Sequence, residues 1–148
     1  MNRGVVLRQL KRLEESIASY NRALAIKHDS AEAYNNRGNS LRDLNWLEES
    51  LASFDKAIAL DPKYADAYIN RGNVLKDLKR LEEALASYEM AIAIDPDCSE
   101  AYWNKSYTLL LKGEFNLGWE LHEWRWKEVN TAKYKRDFPQ PQIGRAHV

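Results

Sequence analysis

Small and apolar residues in this chain return at helical spacing. Tyr68, Gly72 and Leu75 fall at i, i+4 and i+7, as do Ala84, Tyr88 and Ala91, and each triplet marks one face of an α-helix. Between them Asp77 to Arg80 is short and polar, which predicts a tight turn joining two antiparallel helices. The whole pattern returns every 34 residues, because Asn36, Arg37, Gly38 recurs as Asn70, Arg71, Gly72 and begins the chain as Asn2, Arg3, Gly4. The units are then a partial copy at 1–30, complete copies at 31–64 and 65–98, a divergent copy at 99–132 and a tail at 133–148. Asp61, Pro62 and Asp95, Pro96 close the second helices, with each proline suited to the first turn of the helix that follows.

A unit this short cannot bury its apolar side alone, whereas stacked copies share one core and present one extended surface. Small residues recur where helices must approach: Gly38 and Gly72 in first helices, Ala23, Ala57 and Ala91 in second helices. Large ones recur opposite them, as Tyr34, Tyr68 and Tyr102, then Tyr20, Phe54 and Tyr88. A glycine inside a helix costs about 1 kcal/mol relative to alanine unless close packing offsets it.

On these residues the chain resembles a tetratricopeptide repeat array. The family's pattern stands here as Tyr68, Arg71, Gly72, Leu75, Ala84, Tyr88, Ala91 and Pro96, with Arg71 departing where leucine is usual. The resemblance implies an all-α, right-handed superhelical solenoid of antiparallel helix pairs with about four repeats of 34 residues. It also implies a concave groove lined by first helices, and hence a protein- or peptide-binding scaffold. The groove positions it assigns are Glu32, Asn35, Asn36, Asn39, Arg42 and Asp43 in one unit and Asp66, Ile69, Asn70, Asn73, Lys76 and Asp77 in the next.

Asn2, Asn36, Asn70 and Asn104 form a ladder through that groove, one rung per repeat. An asparagine amide donates and accepts, so it pairs with the backbone of an extended peptide whatever that peptide's side chains. The ladder is similar to the one in the repeat region of O-linked N-acetylglucosamine transferase, which holds extended substrate peptides. Arg42 beside Asp43 and Lys76 beside Asp77 would add side-chain selectivity. The alternative reading is that the asparagines solvate an exposed face or tie neighbouring repeats together, and that the charges are a solvated pattern. Glu48, Glu49, Glu82 and Glu83, near the start of second helices, read as structural acids. The family's other mode, a clamp on a C-terminal carboxylate, uses lysine at the fifth position. Here that position holds Met1, Asn35, Ile69 and Trp103, and acids Glu32, Asp66 and Glu100 stand where basic residues are used.

After Lys112 the register breaks. Gly118 takes an alanine position, but His122 replaces the aromatic and Arg125 the second alanine. Leu117, Leu121 and Trp124 at i, i+4 and i+7, with Trp119 and Trp126, predict a capping helix whose tryptophans cover the last repeat. Gly113 to Trp126, followed by Phe138 to Pro141, resembles the end of bacterial repeat arrays that precede a glycosyltransferase-like domain. One alternative function is therefore a recognition arm of such an enzyme, and another is self-association through the solenoid's end faces. Residues 142–148 match one reading frame of a sequencing adapter and are set aside. With Met1 falling inside a first helix, the expectation is a segment of a longer chain.

Composition narrows the picture further. Lys plus Arg equals Asp plus Glu at 22 each, so nucleic acid and anionic membrane are not expected partners. Cys98 is the single cysteine, which leaves no internal disulfide and suits a cytoplasmic protein. His28, His122 and His147 are scattered, and no nucleophile, base and charge stabiliser converge. No catalytic activity, metal or cofactor is expected of this segment.

Overall fold

Each hairpin turn among the described residues rests on one residue of left-handed backbone. Asn45 and Lys79 have φ 62° and Gly113 has φ 89°, and the three stand 34 residues apart. At the first turn the Asn45 N–H donates to the Arg42 carbonyl and the Trp46 N–H to the Leu41 carbonyl, and the same two bonds close the turns at Lys79 and Gly113. Such a pair satisfies the orphan carbonyls of a helix end and reverses the chain within a few residues.

The computed structural model describes residues 12–129. Among them the elements are α1 (Leu13–Ile26), α2 (Ala31–Asp43), α3 (Leu47–Leu60), α4 (Ala65–Asp77), α5 (Leu81–Ile94), α6 (Ser99–Lys112) and α7 (Phe115–Val129), with no strand. Every helix packs on the next in the chain, and the pairs stack as a solenoid. The linkers between hairpins differ from expectation in one respect. Pro62 and Pro96 precede α4 and α6 instead of entering their first turns. The Asp61 and Asp95 carboxylates close the linking turns, accepting from the N–H of Lys63 at 3.0 Å and of Asp97 at 3.2 Å.

Glycines set how closely the helices of a pair approach. A methyl group added at Gly38 would fall 2.7 Å from Phe54 Cε1, and one at Gly72 would fall 2.5 Å from Tyr88 Cε1. The rings are fully buried, and with Leu51, Val74, Leu75 and Ala84 they form the central core. The unit expected to lose its register keeps this packing by exchanging which helix carries the glycine. Ser50 in α3 donates to the Gly38 carbonyl at 2.7 Å, whereas Ser106 in α6 donates to the Gly118 carbonyl of α7 at 2.7 Å. A methyl at Gly118 would meet Leu110 Cδ2 at 2.6 Å.

First helices also touch each other, α2 with α4 and α4 with α6, while the second helices do not pack together to that extent. The first helices therefore line the inner side of the curve. On the outer side α5 and α7 leave a cleft of about 500 Å³ lined by Leu85, Leu109, Leu117 and Leu121 among others.

Arg71, the departure from leucine, is a strut between units. Its Nε reaches Asp55 Oδ1 at 2.6 Å and one terminal nitrogen donates to Ser87 Oγ at 2.6 Å. Lys105 repeats the strut to Glu89 at 3.0 Å. Arg37 stands at the same register, but Asn21 occupies the place of the acid, and Arg37 Nε is buried without a partner.

Candidate functional site

The inner face carries the polar residues singled out from the sequence, and its geometry sorts them. Asn36, Asn39 and Asn104 are partly exposed on α2 and α6, and their amides make no hydrogen bond among the described residues. Asn70 is also partly exposed, but its Nδ2 donates to Asn35 Oδ1 at 3.0 Å, tying α4 to α2. That leaves Asn70 Oδ1 and one amide hydrogen toward solvent. Asn73 is 7% exposed and accepts from the Tyr88 hydroxyl at 2.8 Å. Its amide serves the contact between α4 and α5. Burial pushes the Tyr88 phenol far above its ordinary range. Asn2 lies outside the described residues.

Two of the cations on this face reach across units. Arg42 Nε reaches Asp77 Oδ2 of the next unit at 3.4 Å, and Lys76 Nζ lies 5.3 Å from the centre of the Tyr107 ring, one unit further on. Burial holds the Lys76 ammonium below its ordinary pKa, against the pull of Asp77. Asp43 is exposed on the same rim. At the opposite rim Glu32, Asp66 and Glu100 are exposed at the starts of α2, α4 and α6. The Tyr64 phenol is pushed up by burial, then by Asp66 and Glu32, the first two of these acids.

Sequence reasoning missed Tyr107 and the cross-unit partners. The signal was present in the 34-residue spacing, since Arg42, Lys76 and Leu110 share a register, as do Asn39, Asn73 and Tyr107. Which register touches which across units is a matter of helix rotation that spacing within one helix does not contain.

The last unit exposes what inner units cover. Asn35 and Ile69 at one register, and Leu51 and Leu85 at another, are buried. Their counterparts are Trp103, 37% exposed, and Trp119, 47% exposed. Both rings flank His122, with centroids at 5.1 and 5.5 Å. The tryptophan expected to cover the last repeat thus rests on His122 with half its surface open. The side chains of Trp124, Arg125 and Trp126 lie outside the described residues.

Among the described residues no three His, Cys, Asp or Glu side chains gather to hold a metal ion, and no helix is long and apolar enough to cross a membrane.

Comparison with known proteins bears on the family and the fold. A family model described as TPR repeat matches residues 4–41 and 38–79, and one described as tetratricopeptide repeat matches 65–98. Among solved structures the chain is similar to a MamA protein, with 26% identity and TM-score 0.80 over 91% of this chain and 74% of that one. MamA from Desulfovibrio magneticus RS-1, at 17% identity and TM-score 0.81 over 88% of this chain and 74% of that one, shares the fold. The second TPR domain of human RPAP3, in complex with the HSP70 peptide SGPTIEEVD, has 26% identity and TM-score 0.70 over 72% of this chain and 89% of that one. No curated protein matches the chain.

Proposed function

Because this chain belongs to the tetratricopeptide repeat family, we propose that it is a scaffold that holds an extended segment of another protein along the face lined by α2, α4 and α6. The observation that carries this reading is the set of unengaged amides. Asn36, Asn39 and Asn104 stand partly exposed with their hydrogen-bonding groups unused, and Asn70 is held in place by Asn35. Amides on rigid helices, fixed by packing beneath them, lose little freedom when a peptide backbone pairs with them. Similarity to a repeat domain solved with a bound peptide supports a peptide partner. Arg42, Asp43, Lys76 and Asp77 form its far rim and add selectivity. Asn73 supports it from beneath.

The test uses a display library of random twelve-residue peptides, selected on the full chain. Selected peptides should lose about tenfold in affinity when Asn36→Ala and Asn104→Ala are combined, in keeping with about 0.5–1.5 kcal/mol per hydrogen bond. Melting should stay nearly unchanged, because neither amide has a partner within the described fold. Affinities indifferent to both substitutions would move the contact to another surface.

A second reading has its own observation. Trp103 and Trp119 are exposed at registers that are buried in inner units, so the end of the solenoid is a docking face for a further helical pair, including one from a second copy of this chain.

A further inference from the structure

The outer side of the last unit is apolar where the same positions of the inner units are polar. Glu49, Glu83 and Leu117 share one register, and Ser53, Ser87 and Leu121 share another. In the unit before it both positions are in use, since Glu83 accepts from Arg80 and Ser87 accepts from Arg71, the strut to Asp55. In the last unit Lys105 has the place of Arg71 and reaches Glu89 at 3.0 Å, but Leu121 stands where the Ser87 hydroxyl was. Leu117 is 53% exposed. The result is the cleft of about 500 Å³ between α5 and α7, with Leu85 and Leu109 buried beneath it and Leu117 and Leu121 along one wall.

A cleft in the range of about 300–1,000 Å³ accommodates a small ligand, and so a pair of ring side chains. Its lining is uneven in charge. Lys112 is held between Glu82 at 2.6 Å and Glu114 at 2.5 Å, and Lys105 pairs with Glu89. Glu120 adds a further carboxylate to these two ammonium groups. An occupant that joins apolar rings to an excess of positive charge complements such a lining.

The chain carries a segment of that chemistry. After α7, which ends at Val129, come Lys133, Tyr134, Lys135, Arg136, Asp137 and Phe138, two rings four residues apart among three cations and one acid. Leu117 and Leu121 are also four apart. Reach is sufficient. Leu121 and Leu117 lie about 12 and 18 Å back along α7 from Val129 at 1.5 Å per helical residue, whereas an extended chain covers about 17 Å from Val129 to Tyr134 and about 30 Å to Phe138. We propose that residues 133–138 turn back along α7 and dock in this cleft, with Tyr134 and Phe138 on the leucines and the cations on the acidic lining. The contact covers apolar surface that the inner units do not have, and it leads the chain over the outer side, away from α2, α4 and α6. It does not depend on what the inner face binds.

The test is limited trypsin digestion of the full chain, followed by mass spectrometry as the cleavage rates after Lys133, Lys135 and Arg136. The reference is a free peptide of residues 130–141 cut at the same bonds. In the full chain these bonds should be cut about tenfold more slowly than in the peptide, because cleavage of a docked segment follows the fraction of time it is released. Raised salt should narrow the difference. Leu117→Glu combined with Leu121→Ser installs the residue types of Glu83 and Ser87, and should return cleavage to the rate of the peptide while circular dichroism shows the helices retained. Glu120→Gln, a change at an exposed residue, should speed cleavage about threefold, as expected for one lost ion pair of modest strength; it decides the matter should the double variant lose helicity.

Cleavage of the unaltered chain at the rate of the free peptide would overturn the proposal, as would protection that persists in the folded double variant. Protection that disappears on dilution would also overturn it, since the segment would then be held by a second copy.

Discussion

Single side chains decide whether a repeated position is structural or available. Asn39 and Asn73 share a register, yet Asn73 faces the hydroxyl of Tyr88 and is held beneath the surface, while Phe54 at the matching place offers Asn39 no hydroxyl. One oxygen atom separates a core amide from a surface amide. The same logic isolates Arg37. Its counterparts Arg71 and Lys105 each have an acid in the preceding unit, at Asp55 and Glu89, whereas Arg37 has Asn21 at that place and keeps a buried Nε without a partner. Replacing Asn21 by Asp should complete the row and raise stability by about 0.5–1 kcal/mol, the upper part of the range for a partly exposed ion pair. Urea unfolding at low and high salt checks this, and a gain that survives high salt undiminished would mean the pair is not its source.

Elements depend on their turns, and the turns show how far local reading reaches. The polar stretch Asp77 to Arg80 was legible as a turn between helices because polarity and short length suffice to mark one. That Lys79 adopts a left-handed backbone was not legible, since lysine has no preference for it and the bonds of the helix end impose it. A non-glycine residue there costs about 1–2 kcal/mol, and glycine returns about 0.5–1 kcal/mol of that as greater freedom in the unfolded chain. Lys79→Gly should therefore stabilise the protein by about 0.5–1 kcal/mol, read as a higher midpoint in thermal or urea unfolding. Gly113 already stands at the matching place with φ 89°, so Gly113→Lys should move the midpoint the other way. The divergent unit makes a similar point about packing. Its glycine moved from the first helix to the second, and because the close approach needs only one small residue per crossing, the hairpin persisted where the motif no longer matched.

At the scale of the whole molecule the solenoid has an inner face lined by first helices and, among the described residues, exposed aromatic surface in its last unit. Trp103 and Trp119 around His122 present aromatic surface that an inner unit would cover. If a second copy docks there, sedimentation of the full chain should show mass rising with concentration, and Trp119→Glu should hold it at the monomer without loss of helicity. A wild-type monomer at the highest reachable concentration would assign the face to a different partner. The 34-residue period by itself determined the helical hairpin, the alternation of small and large residues and the stacking of units, because all of these follow from which residues share a helix face. It also marked the row of first-helix positions proposed as the site. Only the tertiary structure decided which members of that row are free, joining Asn70 to Asn35, Arg42 to Asp77 and Lys76 to Tyr107. Those partners stand 31 to 35 residues apart in the chain. Their meeting depends on the rotation of one packed helix against another, which no single helix's periodicity encodes.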